Sequence, residues 1–119
     1  MNAESTNLIG EWMAVTLINS FEIPAGREEE FFNLWSQVNT YMQAKPGYLR
    51  HALHRALKPD APFRFINVAQ WESLGHFQAA HDEGFRALVN QPAWAAFKHH
   101  PFLYEVVHEG PAGAVPAAA

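Results

Sequence analysis

The sequence predicts an α+β fold in which an antiparallel sheet carries helices on one face. Four segments have the apolar content or the period-two alternation of strands, at residues 15–23, 48–57, 63–71 and 102–109. Segments with helical periodicity separate the first strand from the second and the third from the fourth. The resulting order, β-α-β-β-α-β, is that of the ferredoxin-like fold.

The first strand, VTLINSFEI, has one face that is more apolar than the other. That face carries Val15, Leu17, Asn19, Phe21 and Ile23. The opposite face carries Thr16, Ile18, Ser20 and Glu22, so the first face is predicted to be the better buried one.

The first helix is predicted to follow PAGREEE, where three glutamates suit the positive end of a helix dipole. Its apolar residues recur at offsets of three and four and form one wide stripe: Phe31, Leu34, Trp35, Val38, Tyr41 and Met42. The segment KPG at 45–47 ends it, with Lys45 favourably placed at the C-terminal end.

The remaining elements follow from the same signals. The segment YLRHALHRAL at 48–57 is the second strand, and KPDAP is a loop because of its two prolines. The stretch RFINVAQWES contains the third strand. Helical pieces then follow, with predicted interruptions at Gly84 and Pro92, before FLYEVVHE at 102–109 forms the fourth strand.

The third strand places an amide and an indole on the same face. Because strand side chains alternate, Asn67, Ala69 and Trp71 project the same way. A buried amide without a partner costs roughly 1–3 kcal/mol, so Asn67 needs a backbone partner or a ligand. The structural alternative is a backbone partner for Asn67, with Trp71 in the core and Arg86 on the surface. Asn19 on the first strand and Arg86 on the covering helix favour a cavity for a flat ligand instead.

Composition narrows the class of protein. A chain of 119 residues fits one domain, and a net charge of −4 argues against a nucleic-acid groove or an anionic membrane surface. The absence of cysteine excludes disulfides and thiolate chemistry. No apolar run reaches the roughly 18 residues of a membrane span, and the N-terminus lacks the basic cluster of a signal peptide. A cytoplasmic protein is therefore expected.

Polarity also predicts the organisation of the chain. Residues 1–12 are expected to be a flexible arm, residues 13–110 the folded domain and residues 111–119 a disordered Ala/Pro/Gly tail. The chain is 49% hydrophobic but only 17% charged, which favours burial beyond that of a monomer. With apolar residues on both faces of the first and third strands, we expect a homodimer in which two sheets pack face to face.

The seven histidines do not form a metal-binding pattern. His51 and His54 are three apart on a strand and therefore point to opposite faces. His76 and His81 are five apart, which does not match helical ligand pairs at i and i+4. No metal site is predicted, and these histidines are expected on the surface or in a pocket wall.

Three stretches, VTLINSFEIPAGREEEFFNLW, KPGYL and INVAQWESLGHFQAAHDEGFRAL, resemble the antibiotic biosynthesis monooxygenase family of dimeric α+β barrels. The resemblance covers about residues 13–109. The N-x-A-Q-W-E-S core is most similar to the actinorhodin-type anthrone monooxygenases, which oxidise an aromatic polyketide anthrone to a quinone with O₂ and no cofactor. The resemblance places Asn67, Trp71 and Arg86 at site positions of that group. It places Phe77 where that group has a pocket tyrosine, so that hydroxyl is missing here.

A sister branch, the haem-degrading monooxygenases, resembles the chain less well. Asn19 matches that branch's asparagine on the first strand. Its tryptophan position falls on Ala80 and its axial histidine position near Val89, so the iron lacks its anchor at the expected place. Haem degradation is therefore disfavoured, with His81 as an unorthodox ligand if haem binds.

The resemblance implies a homodimeric monooxygenase that acts on an aromatic anthrone or hydroquinone with O₂, without metal or flavin. Asn67, Trp71 and Arg86 are the expected catalytic donors, with His51 or His54 as proton acceptor. The expected substrate-binding residues are Asn19, Phe21, His51, His54, Phe77 and His81. The alternative from another class is a non-catalytic small-molecule-binding or stress-response dimer on the same fold.

Overall fold

The computed structural model describes residues 10–111 and shows a four-stranded antiparallel sheet in the order β2-β3-β1-β4. The strands are β1 Val15–Glu22, β2 Tyr48–Arg55, β3 Phe65–Trp71 and β4 Lys98–Tyr104. The helices are α1 Glu28–Met42, α2 Leu74–Ala80, α3 Glu83–Val89 and a 3₁₀ helix at Pro92–Ala96. The ferredoxin-like α+β class predicted from the sequence is confirmed.

The fourth strand lies earlier in the chain than predicted. It covers Lys98–Tyr104 rather than 102–109, and Pro101 pairs with Asn19 within it. Proline has no backbone N–H to donate to a neighbouring strand, so the sequence suggested that the strand begins after Pro101. Among the described residues β4 is the edge strand of the sheet, and an edge tolerates proline.

The helical region also breaks at a different residue from the one predicted. α2 ends at Ala80, and α3 starts after Asp82, whose carboxylate accepts a hydrogen bond from the Phe85 N–H at 3.0 Å. The helical region therefore breaks at the Asp82 N-cap, where a new helix starts. Gly84, the predicted break, lies inside that new helix. The predicted interruption at Pro92 is confirmed, since the 3₁₀ helix begins there.

The predicted apolar stripe of α1 faces the sheet. Its residues Phe31, Leu34, Trp35 and Met42 are buried, and Phe31 packs between Phe21 of β1 and Phe65 of β3 at ring distances of 4.7 and 5.0 Å. Within residues 10–111, no helix combines the length and the apolar content needed to cross a bilayer.

The end of the predicted N-terminal arm is attached to the domain. The carbonyl of Glu11 accepts a hydrogen bond from the Gly75 N–H at 2.8 Å, and that of Met13 accepts one from Leu74 at 2.7 Å. These bonds satisfy free N–H groups in the first turn of α2. The rest of the predicted arm and tail, residues 1–9 and 112–119, lies outside the described residues.

Two features of strand register matter for the site. In the β1–β3 ladder, Asn19 stands opposite Asn67. In the β2–β3 ladder, Tyr48 pairs with Trp71 and Arg50 with Gln70, so Leu49 is an extra residue that forms a bulge.

Candidate active site

A cavity of about 770 Å³ lies between the helix-facing side of the sheet and the helices. This volume is within the range of about 300–1,000 Å³ typical of small-molecule sites. Its walls are mainly apolar and aromatic, with Trp35, Trp71, Phe77, Phe85 and Trp94 among them. Its polar lining residues are Asn19, Asn39, Tyr48, Asn67, His81, Asn90 and His99.

Asn19 and Asn67 place two amides side by side on the sheet wall of this cavity. Within the described residues, the Oδ1 atoms of both amides are buried and have no hydrogen-bond partner. The structural alternative, a backbone partner for Asn67, is not seen for its amide oxygen in the described residues. Leaving a buried acceptor unpaired costs about 1–3 kcal/mol, so this pair is destabilising unless a ligand supplies donors.

A third buried polar atom without a partner is the indole nitrogen Nε1 of Trp94, in the 3₁₀ helix. The cavity therefore has two acceptor oxygens and an N–H donor that the described residues leave unused. Sequence reasoning missed Trp94, because a tryptophan beside Pro92 has no pattern that separates a cavity wall from ordinary core.

A row of rings runs along one side of the cavity. Trp71, which is 2% exposed, meets Tyr48 edge-on at 5.0 Å and Phe77 edge-on at 5.7 Å. Phe77 packs on His81 at 4.2 Å, and His81 packs on Phe85 at 4.4 Å. These contacts give the cavity an aromatic wall of rings tilted against one another, which suits edge or face contacts with a planar molecule.

His81 is held in one orientation at the break between α2 and α3. Its Nδ1 lies 2.6 Å from the backbone carbonyl of Phe77. A carbonyl only accepts hydrogen bonds, so this contact places the proton on Nδ1 and leaves a lone pair on Nε2. A lining imidazole in this tautomer can accept a proton or bind a metal ion.

Tyr48 and His51 form a second polar group on β2. Tyr48 Oη lies 2.5 Å from His51 Nδ1 and 3.2 Å from Asn39 Oδ1. Tyr48 and Asn39 line the cavity, whereas His51 lies behind them and contacts Trp35 edge-on at 5.6 Å.

Behind the helical wall, Asp82 connects α3 to α1. Its carboxylate accepts hydrogen bonds from Lys45 at 2.6 Å and from the Tyr41 hydroxyl at 2.7 Å. The Lys45 bond, followed by those from the Phe85 N–H and Tyr41, lowers the pKa of Asp82. Lys45 was expected to interact with the helix end, but its charged group binds Asp82.

Six residues predicted for the site line the cavity: Asn19, Phe21, Asn67, Trp71, Phe77 and His81. The structure thus brings together side chains from β1, β3 and the segment around α2.

Three predicted site residues do not line the cavity. Arg86 is exposed, and its guanidinium donates to the backbone carbonyl of His81 at 2.9 Å, because its position on α3 faces outward. His54 pairs with Ile66 on the opposite face of the sheet and is exposed. His51 is on the correct face, but its hydrogen-bond partners Tyr48 and Asn39 line the cavity and His51 does not.

Acidic and histidine side chains are dispersed in the part of the chain that the structure describes. No group of three or more His, Asp or Glu residues between positions 10 and 111 is arranged to hold a metal ion.

Comparison with known proteins adds a family to this geometry. The family described as antibiotic biosynthesis monooxygenase matches residues 14–101. A haem oxygenase (mycobilin-producing) from Mycobacterium tuberculosis is 34% identical over 88 residues, which are 74% of each chain.

Two solved structures are similar to this chain. A candidate monooxygenase from Shewanella loihica PV-4 is 32% identical, with a TM-score of 0.72 over 84% of this chain and 99% of that one. SnoaB, a cofactor-independent oxygenase from Streptomyces nogalater, is 24% identical, with a TM-score of 0.68 over 83% of this chain and 98% of that one. The second likeness shows a shared fold.

Proposed function

This chain belongs to the antibiotic biosynthesis monooxygenase family, and we propose that it oxidises a flat aromatic anthrone or hydroquinone to a quinone with O₂, without metal or flavin. The observation that carries the proposal is the pair of amides of Asn19 and Asn67, which line an aromatic cavity and whose oxygens are buried without partners in the described structure. Phenolic hydroxyls of such a substrate would supply the donors that these oxygens lack.

The substrate itself must provide the electrons, because a side chain such as Asn or Trp does not normally pass them to O₂. An anthrone has an acidic C–H between two aromatic rings. Removing that proton gives an anion whose electron pair reduces O₂ to a substrate-bound peroxide. Loss of the second C–H proton with cleavage of the O–O bond leaves the quinone carbonyl and releases water.

His81 is the proposed proton acceptor for the C–H bond. Its Nδ1 is engaged by the Phe77 carbonyl, so Nε2 carries the lone pair that takes the proton. His81 thus replaces His51 and His54, between which the sequence did not decide. Arg86 acts at most indirectly, through its bond to the His81 carbonyl.

The anion would be stabilised by donor groups of the residues that line the cavity. The amide NH₂ groups of Asn19 and Asn67 and the indole N–H groups of Trp71 and Trp94 are such donors. Because the site is largely apolar, each hydrogen bond to a developing charge would be stronger than in water.

Oxygen uptake with the anthrone dithranol tests this function. We expect uptake with formation of the quinone, unchanged by a metal chelator and reduced about a hundredfold in Asn67→Ala. His81→Gln, which keeps a polar side chain but removes the base, should reduce it by a similar factor. Uptake that requires added metal or haem would contradict the proposal, and binding without uptake would support the non-catalytic alternative.

Haem degradation is the second candidate, favoured by the haem oxygenase that is 34% identical and by the geometry of His81. A histidine that donates from Nδ1 to a backbone carbonyl presents Nε2 in the way that metal-binding histidines commonly do. Under this hypothesis haem is the substrate, and His81 would bind its iron. Titration with haemin separates the candidates: a shifted Soret band that is lost in His81→Ala supports haem, and an unshifted band supports the anthrone.

A further inference from the structure

Tyr48 places a phenol in the cavity wall that the reaction proposed above does not use. It is the first residue of β2, and its ring meets the Trp71 indole edge-on at 5.0 Å. Its hydroxyl has two polar neighbours, His51 Nδ1 at 2.5 Å and Asn39 Oδ1 at 3.2 Å. The first contact is at the short end of the range for a hydrogen bond.

His51 connects this phenol to the outside of the protein. The imidazole does not line the cavity, and it is only partly buried. Its Nε2 lies 3.4 Å from Asn39 Nδ2. The order from the cavity outward is therefore Tyr48, then His51, then solvent, which is an arrangement that can carry a proton inward.

Burial raises the pKa of Tyr48 to about 12. The side chain therefore keeps its proton at neutral pH and cannot serve as a base there. A buried phenol in this state is a hydrogen-bond and proton donor.

We propose that Tyr48 is a catalytic residue that donates a proton to the substrate-bound peroxide, and that His51 is the positioning residue that orients and reprotonates it. This proposal rests on the oxygenase function proposed above. It assigns the acid and the base of the reaction to different elements, Tyr48 on β2 and His81 at the end of α2.

Each proton that moves in this reaction has a donor and an acceptor. The Tyr48 Oη–H bond breaks as a proton moves to the outer peroxide oxygen, and the phenolate takes a proton from His51, which recovers one from solvent. His81, after releasing the first C–H proton to solvent, removes the remaining one, and that electron pair forms the carbonyl as the O–O bond breaks. The departing hydroxide takes this second proton from His81 and leaves as water.

A purely structural role for Tyr48 makes a different prediction. A buried hydroxyl needs a partner, and His51 could serve only to satisfy it. Removing the hydroxyl would then alter stability, with turnover and the ratio of O₂ consumed to quinone formed unchanged.

Steady-state oxygen uptake and quinone absorbance with dithranol distinguish these roles, using Tyr48→Phe, His51→Gln and the double variant. His54→Gln is the matched control, because His54 is on the same strand but exposed on the other face of the sheet. Binding of the anthraquinone dantron, followed by Trp fluorescence, reports whether the cavity is intact in each variant.

We expect Tyr48→Phe to lower kcat about a hundredfold with KM within about threefold, because proton donation acts on the chemical step. In Tyr48→Phe the amount of O₂ consumed should exceed the amount of quinone formed, because the substrate peroxide accumulates. His51→Gln should lower kcat less, and the double variant should resemble Tyr48→Phe because the two residues act in series.

Four outcomes decide between the proposals. Unchanged kcat in Tyr48→Phe, with active wild type, would overturn the role of Tyr48 and leave the oxygenase function standing. Additive losses in the double variant would overturn the coupling to His51. Loss of dantron binding in Tyr48→Phe would show a role in shape instead of proton transfer. No uptake by the wild type would overturn the oxygenase function, and this proposal with it.

Discussion

Asn19 and Asn67 lie directly opposite each other on β1 and β3, and the amide oxygens of both are buried without a hydrogen-bond partner. A facing pair of amides could bond to each other, but no such bond forms between these two within the described structure. Two unsatisfied acceptors on one wall make this part of the sheet costly in free energy when no ligand is bound. Unsatisfied polar groups of this kind are common where a protein retains a site for function at the expense of stability.

The first prediction concerns Asn67→Leu, which is nearly isosteric and removes only the polar end. We expect the melting temperature to hold or rise, because no partner is left unpaired, while turnover with dithranol falls about a hundredfold or more. Gln70→Leu, an amide change on the other face of β3, is the control and should keep turnover. A variant that melts several degrees lower but retains full turnover would show that Asn67 is structural.

The second prediction concerns assembly. Val68, Ile18 and Phe102 stand opposite one another across β3, β1 and β4, on the sheet face away from the helices, and Phe102 is 62% exposed. We predict that two copies pack through this face, burying about 2,000 Å² or more in total. Light scattering should give twice the chain mass of 13.4 kDa.

Charge substitutions test which face is used. Val68→Asp should give the monomer mass, because it buries a carboxylate in the proposed interface. Phe32→Asp, on the exposed side of α1 at 49% exposure, is the matched control and should leave the dimer intact. A wild-type mass of 13.4 kDa at micromolar concentration would contradict the prediction.

The third prediction is a loss of stability in acid that depends on Asp82. Its pKa is lowered in the folded state, chiefly by the hydrogen bond from Lys45. The unfolded state therefore takes up this proton first as pH falls, so the stabilisation is present above about pH 4 and is lost below it.

Asp82→Asn should lower the free energy of unfolding at neutral pH and reduce its further loss in acid. Urea midpoints at neutral pH and at about pH 3 measure both effects. Asp60→Asn, in an exposed loop, is the control. Equal acid sensitivity in wild type and Asp82→Asn would show that other carboxylates dominate the transition.

The fourth prediction concerns Gly84 inside α3. A Cβ at this position would overlap the hydroxyl and ring of Tyr41. Alanine is the better helix former by about 1 kcal/mol, but we expect Gly84→Ala to destabilise by about 1–3 kcal/mol, because Tyr41 must move and lose its bond to Asp82. Gly110→Ala, which meets no atom within 4 Å, should be neutral in thermal unfolding. A higher melting temperature for Gly84→Ala would mean that Tyr41 is not held in place.

The parts of the fold that local pattern determines were predictable. Alternation on β1 and β3 and the stripe on α1 predict that Asn19, Asn67 and Trp71 lie on the helix-facing side, where the structure has them. The limits of β4 were not predictable in this way. They depend on which backbone groups of β1 need partners, and Pro101 suggested a boundary that an edge strand does not require.

Site residues were harder to predict where orientation depends on tertiary contacts. Arg86 has the charge expected of an anion-binding group, but its place on α3 turns it toward solvent. His81 became a candidate base only through its contact with the Phe77 carbonyl, which fixes its tautomer. The sequence pattern identifies Tyr48 only as the start of a strand, because it does not reveal the partner of the hydroxyl.

The bulge at Leu49 determines how this site can vary among proteins of the same fold. On a regular strand, residues three apart point to opposite faces, as His51 and His54 do. The extra residue between Tyr48 and Arg50 brings Tyr48 and His51 to the same face, and Leu49 itself is 47% exposed. Replacing Leu49 by another residue would leave that contact in place, and deleting it would restore a regular strand in which Tyr48 and His51 are two residues apart and still share a face. This tyrosine–histidine pair can therefore persist in evolution through the loss of that residue as well as through its substitution, and a change of length is one that substitution tables do not record.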